Sequence, residues 1–238
     1  STFHLCYSGH YHSVKALPFS YLMAPHMTKS IIRGPYKPGR IREQSRDLIL
    51  QAAQAEFACH GFRGATMQRI AESAQVPKAN IHYYFTSKLG LYGAVLENTL
   101  NLWDNVFNEL SSHDEPAYVL SRYIDAKIDF SRTHPTASRL FAKEMISGAP
   151  HLSAYLQQDY RQWFKQRMSV FESWVAQGKM DDIDPAHVIF MIWASTQYYA
   201  DFEPQIIIAN DTEQLTEQAF LDAASSIKHI ILKGCGIH

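Results

Sequence analysis

Residues 49–96 read ILQAAQAEFACHGFRGATMQRIAESAQVPKANIHYYFTSKLGLYGAVL, and their apolar positions recur at helical rather than strand spacing. Ile49, Ala53 and Phe57 fall on one face of a helix that begins near Arg42. His60-Gly61 stops it, glycine supplying the left-handed residue that ends a helix. Thr66 caps a second, short helix in which Ile70, Ala71 and Ala74 point inward. Pro77 opens a third, where Ile81 and Phe85 face the core while Lys78, Ala79, His82 and Tyr83 form the opposite face. Two short helices joined by a tight turn, with a basic and aromatic exterior, make a helix-turn-helix. A fourth helix is predicted from Ser87 to about Leu110 on the stripe Leu91, Val95, Thr99, Leu102, Val106 and Leu110. At ~1.5 Å per residue, the stretch from Ser87 to Trp103 covers about 24 Å. That is enough to join one end of the head to the interior of a second domain, as a lever.

Outward from this stretch, helices are predicted over 116–133, 135–147, 151–177, 185–201 and 213–232, with Asp184-Pro185 as a start signal. The expected fold class is all-α: an N-terminal three-helix helix-turn-helix domain and a C-terminal helical domain, about nine helices in all. Residues 1–41 form a leader and basic arm, 42–88 the helix-turn-helix, and 89–238 the second domain. The chain has 238 residues, 46% hydrophobic and 19% charged, which excludes disorder and a small disulfide scaffold. No apolar run reaches the roughly 18 residues of a membrane-spanning helix. Cys6, Cys59 and Cys235 have no CxxC spacing, so neither a zinc site nor a disulfide framework is indicated, and a cytoplasmic location suits them. Cys6, His10 and His12 lack a fourth ligand at sensible spacing, and no metal or cofactor is expected.

Residues 1–26 are aromatic and His-rich without helical periodicity or the ordered parts of a secretory signal. They read as an appended leader before Met27. Residues 28–41 carry Lys29, Arg33, Lys37 and Arg40 among two prolines and two glycines. Such an arm either enters an adjacent minor groove or attracts nucleic acid nonspecifically.

The net charge of -1 hides an asymmetry. Residues 28–100 hold ten Lys/Arg against five Asp/Glu, whereas residues 101–238 hold eleven against eighteen. A basic N-terminal segment on an acidic body fits a polyanion-binding end, and nucleic acid is the leading polyanion. An enzyme is the rival class, but GxxxxGK[ST], GxGxxG, HExxH and GxSxG motifs are all missing. A purely structural helical module is opposed by the basic arm and the exterior Lys78 and Tyr83.

With helix, turn, recognition helix, YYF and SK in this order, the segment 49–96 resembles the DNA-binding domain of the TetR family of transcriptional repressors over about 45 residues. SRTHPTASRLFAKEM and IDPAHVIFMIWASTQYYADFEPQ resemble the subgroup containing the pyrimidine-utilisation regulators. Together these resemblances extend from about Met27, which they imply as the natural start, to the C-terminal residue. Three positions depart from the pattern. Gln75 stands where the turn normally has Gly, Leu89 where the fourth helix usually has an acid in its first turn, and Ser121 where a pyrimidine sensor is expected to carry Lys.

The resemblance implies a dimeric, ligand-responsive regulator of a palindromic operator. Thr66, Gln68 and Arg69 from the second helix join Lys78, Ala79, His82, Tyr83, Tyr84 and Lys88 as the DNA-contacting set. Lys78 suits guanine acceptors or phosphate, Ala79 a thymine methyl, and the tyrosine hydroxyls and Lys88 phosphate oxygens. Two-fold dimers present their recognition helices about 34 Å, or a multiple, apart. The dimer interface is expected on helices 185–201 and 213–232, the second through Ala219, Ala223, Ala224, Ile227 and Ile231, unless these form ordinary intrachain core.

For the effector, Trp193 and Gln197 are four apart and share a face, as are Tyr123 and Lys127, while Trp103 lies on the lever. A flat pyrimidine such as uracil or thymine could stack on indole while the Gln197 amide meets its imide edge and Tyr123 and Lys127 complete the polar contacts. The alternatives are core tryptophans with a satisfied buried amide, or a pocket for a different small apolar or aromatic ligand.

Overall fold

In a computed structural model of the chain, the described residues are 38–108 and 110–237, leaving aside the side chains of residues 38–41 and 103–106. They form α1 (Pro38–Gly64), α2 (Met67–Ser73), α3 (Lys78–Tyr84), α4 (Lys88–Asn108), α5 (Pro116–Thr133), α6 (Pro135–Ile146) and α7 (Ser153–Tyr155). A π turn at Leu156–Tyr160 leads into α8 (Arg161–Ala176), followed by α9 (Pro185–Asp201), α10 (Glu203–Ala209) and α11 (Glu217–Gly234). The described residues contain helices and no strand, as the periodicity predicts. The chain divides into two units, residues 1–46 and 47–238. The leader, with Cys6, His10 and His12, and the side chains of the basic arm lie outside the described residues.

Local chemistry sets the element ends. Gly61 adopts φ 66° and ψ 171°, a conformation essentially confined to glycine, so regular α1 breaks there. The Thr66 hydroxyl accepts the Arg69 backbone N–H at 3.2 Å and caps α2. Proline occupies the first turn of α5, α6 and α9. Asp184 caps α9 by accepting the Ala186 N–H at 2.9 Å, and Thr216 caps α11 by accepting that of Ala219 at 3.2 Å.

Between α2 and α3 the turn closes through the Val76 N–H to the Ala71 carbonyl, 3.0 Å. Gln75 sits there at φ 55°, the left-handed geometry its position implies. The helices differ from expectation in several places, among them α11, predicted over 213–232 and spanning Glu217–Gly234. α1 starts at Pro38, four residues early; the 151–177 run is interrupted by the π turn; Phe202 separates a short α10 from α9; and α4 ends at Asn108. Leu102, expected on the buried stripe of α4, is 43% exposed, since the inward face there runs through Leu100 and Phe107, seven residues apart.

Two cores result. The first packs Ile49, Ala53 and Phe57 of α1, Ile70 of α2, Ile81 of α3 and Leu91, Val95 and Leu96 of α4, and reaches Leu140, Ala149 and Leu152 beyond them. The second is built around Tyr123, Ile124, Phe171, Trp174, Ile189 and Ile192, with α11 closing it through Ala223, Ala224, Ile227 and Ile231. Those four α11 residues, expected at a dimer interface, are 4–8% exposed and belong to intrachain core. Small side chains there let α11 lie close against α5, its principal neighbour. The apolar residues that α9 and α11 leave outside are others: Phe190, Met191 and Tyr198, and Leu221 and Ile230.

Candidate nucleic-acid interface and effector cavity

On α3, Ile81 is fully buried and Phe85 just beyond it nearly so. That anchorage turns Lys78, Ala79 and His82 outward as exposed residues, together with Tyr83 at 69% exposure. Tyr84 is half-buried, its ring edge-on to Tyr83 at 5.2 Å. The expected contributors around α3 also serve the scaffold. Arg69 directs Nε to Glu56 Oε1 at 2.6 Å and a second nitrogen to the Gly64 carbonyl. Gln68 donates to Glu72 at 2.8 Å, and Thr66 is the α2 cap. Lys88 Nζ donates to the carbonyls of Ala65 at 3.0 Å and Arg63 at 3.3 Å and stands 4.9 Å over the Phe62 ring. Glu56, which pattern reading passed over, also accepts the Thr66 N–H at 3.2 Å. It fixes the angle between α1 and α2. The exposed cations and hydroxyls of α3 can reach phosphates and base edges from a rigid mount.

The second domain holds a cavity of about 430 Å³, within the usual range for small-molecule sites. Tyr123 and Lys127 of α5 and Trp193 and Gln197 of α9 all line it. The Trp103 side chain lies outside the described residues. Trp193 Nε1 donates to the Tyr123 hydroxyl at 2.6 Å, joining α5 to α9, and Phe107 packs on Tyr123 at 4.3 Å between ring centroids. Lys127 is 2% exposed, so its ammonium group sits where polar partners count most. One turn beyond Gln197, Asp201 accepts from Ser138 Oγ at 2.7 Å. Burial pushes its carboxyl pKa up, opposed by the Ser138 hydrogen bond and by Arg139 and Lys127. Ser121 is half-buried and is not among the described cavity residues.

Sequence pattern missed the other walls. Leu100 of α4, Phe141 and Met145 of α6, Leu156 and Tyr160 of the π turn and Trp163 of α8 complete the lining. Phe141 and Met145 are four apart in the SRLFAKEM run, the one available signal, but it is equally the signal of core. A π turn at a cavity wall is a recurrent arrangement, since its extra residue re-aims neighbouring side chains.

The neighbours of Phe141 and Met145 on α6 point toward the head. Glu144 is 4% exposed and accepts from the Tyr92 hydroxyl of α4 at 3.1 Å and the His151 backbone N–H at 2.6 Å, with His151 Nδ1 3.1 Å away. Burial first, and then the Glu144 carboxylate, push the Tyr92 phenol pKa up, so Tyr92 remains a donor. His151 is held between Phe62 at 4.4 Å and Tyr92 at 5.0 Å. α6 thus joins the cavity to α4 through adjacent residues.

A helix-turn-helix head followed by a larger helical domain is the architecture of a DNA-binding transcriptional regulator, and the comparisons with known proteins name its family. Residues 49–95 match the family model for bacterial regulatory proteins of the tetR family, and residues 96–238 match that for the YcdC-like protein C-terminal region. The HTH-type transcriptional regulator RutR of Escherichia coli K12 is 38% identical over 208 residues, covering 87% of this chain and 98% of that one. The HTH-type transcriptional repressor NicS of Pseudomonas putida is 25% identical over 198 residues, covering 81% and 92%. Two crystal structures share the fold: a regulator from Streptomyces coelicolor at TM-score 0.60 and 23% identity, covering 80% of this chain and 98% of that one, and a TetR-like transcriptional regulator from Rhodococcus sp. RHA1 at 0.56 and 20%, covering 84% and 100%.

The chain belongs to the TetR family. It is a DNA-binding, helix-turn-helix transcriptional regulator of the repressor type. No helix among the described residues is long and apolar enough to cross a membrane.

Proposed function

We propose that the protein is a dimeric, pyrimidine-responsive repressor, releasing a palindromic operator when uracil, thymine or a related ring enters the cavity. The observation that carries the effector reading is the meeting of Lys127, Tyr123, Trp193 and Gln197 around one cavity from two helices. A flat imide ring has faces that stack on indole, and a rim that alternates carbonyls with N–H groups. Gln197 offers both an acceptor and donors to that rim, and the Lys127 ammonium offers donors to a carbonyl. Two protomers pair through the exposed Phe190, Met191 and Tyr198 of α9 and Leu221 and Ile230 of α11; a patch of this kind on a soluble surface marks an association site. Each α3 then faces one half-site.

Ligand pressing on Phe141 and Met145 of α6 shifts the Glu144–Tyr92 contact and with it α4, which carries the head. Reversing a 99:1 population needs about 5.5 kcal/mol of differential affinity, within reach of a buried ring that is both stacked and hydrogen-bonded. Ligand and operator therefore weaken each other reciprocally. Fluorescence anisotropy of labelled operator, titrated with uracil, tests the reading. Binding that persists at saturating uracil and thymine rejects the pyrimidine assignment, and protein that stays monomeric at operator-binding concentrations rejects the dimer.

A further inference from the structure

We infer that the preferred effector is an alkyl-extended pyrimidine, a uracil-type ring bearing a short carbon chain on its C5–C6 edge. This rests on the pyrimidine reading and narrows it. Among the described lining, the hydrogen-bonding groups able to define an imide rim are Lys127 and Tyr123 of α5, Gln197 of α9 and the hydroxyl of Tyr160, which ends the π turn beside Trp193. α4, α6 and the start of the π turn contribute Leu100, Phe141, Met145 and Leu156, which have no hydrogen-bonding capacity apart from the weak thioether of Met145. Trp163 adds a ring face only, because its Nε1–H is already engaged by Asn108 Oδ1 at 2.7 Å.

Uracil is polar around most of its rim. Two carbonyls and two N–H groups leave only the C5–C6 edge to face hydrocarbon, and any other orientation puts an unsatisfied donor or acceptor against Leu, Phe and Met at a cost. The C5–C6 edge therefore meets the apolar residues. A bare ring, moreover, does not fill the space. At ~30 Å³ per water molecule in the liquid, a 430 Å³ cavity corresponds to about fourteen waters, while uracil has about eight non-hydrogen atoms. The remaining volume adjoins apolar side chains, where dry space forfeits dispersion attraction and water finds few partners. A short alkyl chain resolves both mismatches at once.

The test is a calorimetric titration of the full-length protein with uracil, thymine, 5-ethyluracil, 5-propyluracil and 6-propyluracil, paired with operator release. Affinity is expected to rise by roughly fourfold for each carbon added along the favoured series. Met145→Gln and Leu156→Asn, tested separately, are expected to flatten that rise, read as the slope of affinity against chain length rather than as the affinity for uracil itself. A flat or falling wild-type series with uracil still bound overturns the extension and leaves the pyrimidine reading standing. Failure of every member to bind overturns both.

Discussion

The outer face of α3 and the cavity of the second domain are built in opposite ways. Lys78, Ala79, His82 and Tyr83 are outward positions of one seven-residue helix, fixed by a single buried residue, Ile81, and by Phe85 at its C-cap. The cavity draws its described walls from α4 through α9, so residues nearly a hundred positions apart in the chain, Leu100 and Gln197, line one space. A face made locally tolerates substitution of its outward residues without loss of fold. A cavity made by convergence couples every lining residue to packing. Its polar members carry the added cost of sitting in a low-dielectric interior.

The largest effects are expected where that contrast is sharpest. Lys78→Ala combined with Tyr83→Ala should weaken operator binding by about 1–3 kcal/mol for each of the two side chains truncated, while the thermal midpoint and effector binding stay within error. Electrophoretic or anisotropy titrations check the first, and thermal melts with calorimetry the second. Comparable loss of fold would mean that the face is structural. Lys127→Met tests the other region. Removing this buried charge while Asp201, on which it acts, stays in place should lower the thermal midpoint, and in the folded variant effector affinity should fall by roughly 1.5–3 kcal/mol, the range for a hydrogen bond from a charged donor. The operator should still bind, now without release. An intact effector response would remove Lys127 from the site.

Legibility in the sequence follows the same division. The head could be read from residues 49–96 because Thr66 caps α2, Gly61 breaks α1, and Ile70, Ile81 and Phe85 recur on buried faces, each within one or two turns of what fixes it. The structure added that Arg69 and Lys88 brace the head, through Glu56 and the Ala65 carbonyl. Such ties depend on loop geometry that spacing does not encode. In the cavity, Tyr123 with Lys127 and Trp193 with Gln197 were readable as i, i+4 pairs containing polar groups. Leu100, Phe141, Met145 and Leu156 were not, since a hydrophobe lining a cavity and one filling a core obey the same periodicity. The small-residue stripe of α11 misled for a related reason: Ala223 and Ala224 permit close approach equally well to a partner helix or to α5, and they pack in the intrachain core.

The junction between the two regions gives a smaller effect of a different kind. Glu144→Gln keeps the shape of the side chain but weakens its ties to Tyr92 and His151. Operator affinity without effector and effector affinity without operator should each change little. The factor by which one weakens the other should shrink, by about 0.5–2 kcal/mol of coupling. Measuring all four edges of the binding cycle distinguishes this from simple destabilisation, which would lower both affinities and preserve their ratio. Unchanged coupling would mean that α6 reaches α4 by another route.

Within the head, Gln75 offers a gain. Its φ of 55° costs a non-glycine residue roughly 1–2 kcal/mol, and glycine recovers that at an entropic cost of about 0.5–1 kcal/mol. Gln75→Gly should therefore stabilise the protein by about 0.5–1 kcal/mol, a rise of about 1–4 °C in thermal midpoint for a chain of this size. A fall in midpoint would show that packing of the Gln75 side chain outweighs its strain.

Asp201 sets the smallest effect and brings pH to the comparison. Burial raises its carboxyl pKa above the ordinary 3.8, against the opposing influence of Ser138, Arg139 and Lys127. The folded state therefore binds this proton more tightly than the unfolded chain does. The stability it confers is complete below the ordinary carboxylate pKa and is lost as pH rises through the raised one. Asp201→Asn preserves an acceptor for Ser138 but no longer titrates. The stability difference, wild type minus variant, should accordingly decline as pH rises through the range just above 3.8 and level off toward neutrality. A difference that instead grows with pH would mean that Lys127 and Arg139 outweigh burial, making Asp201 an ionised counter-charge beside the cavity.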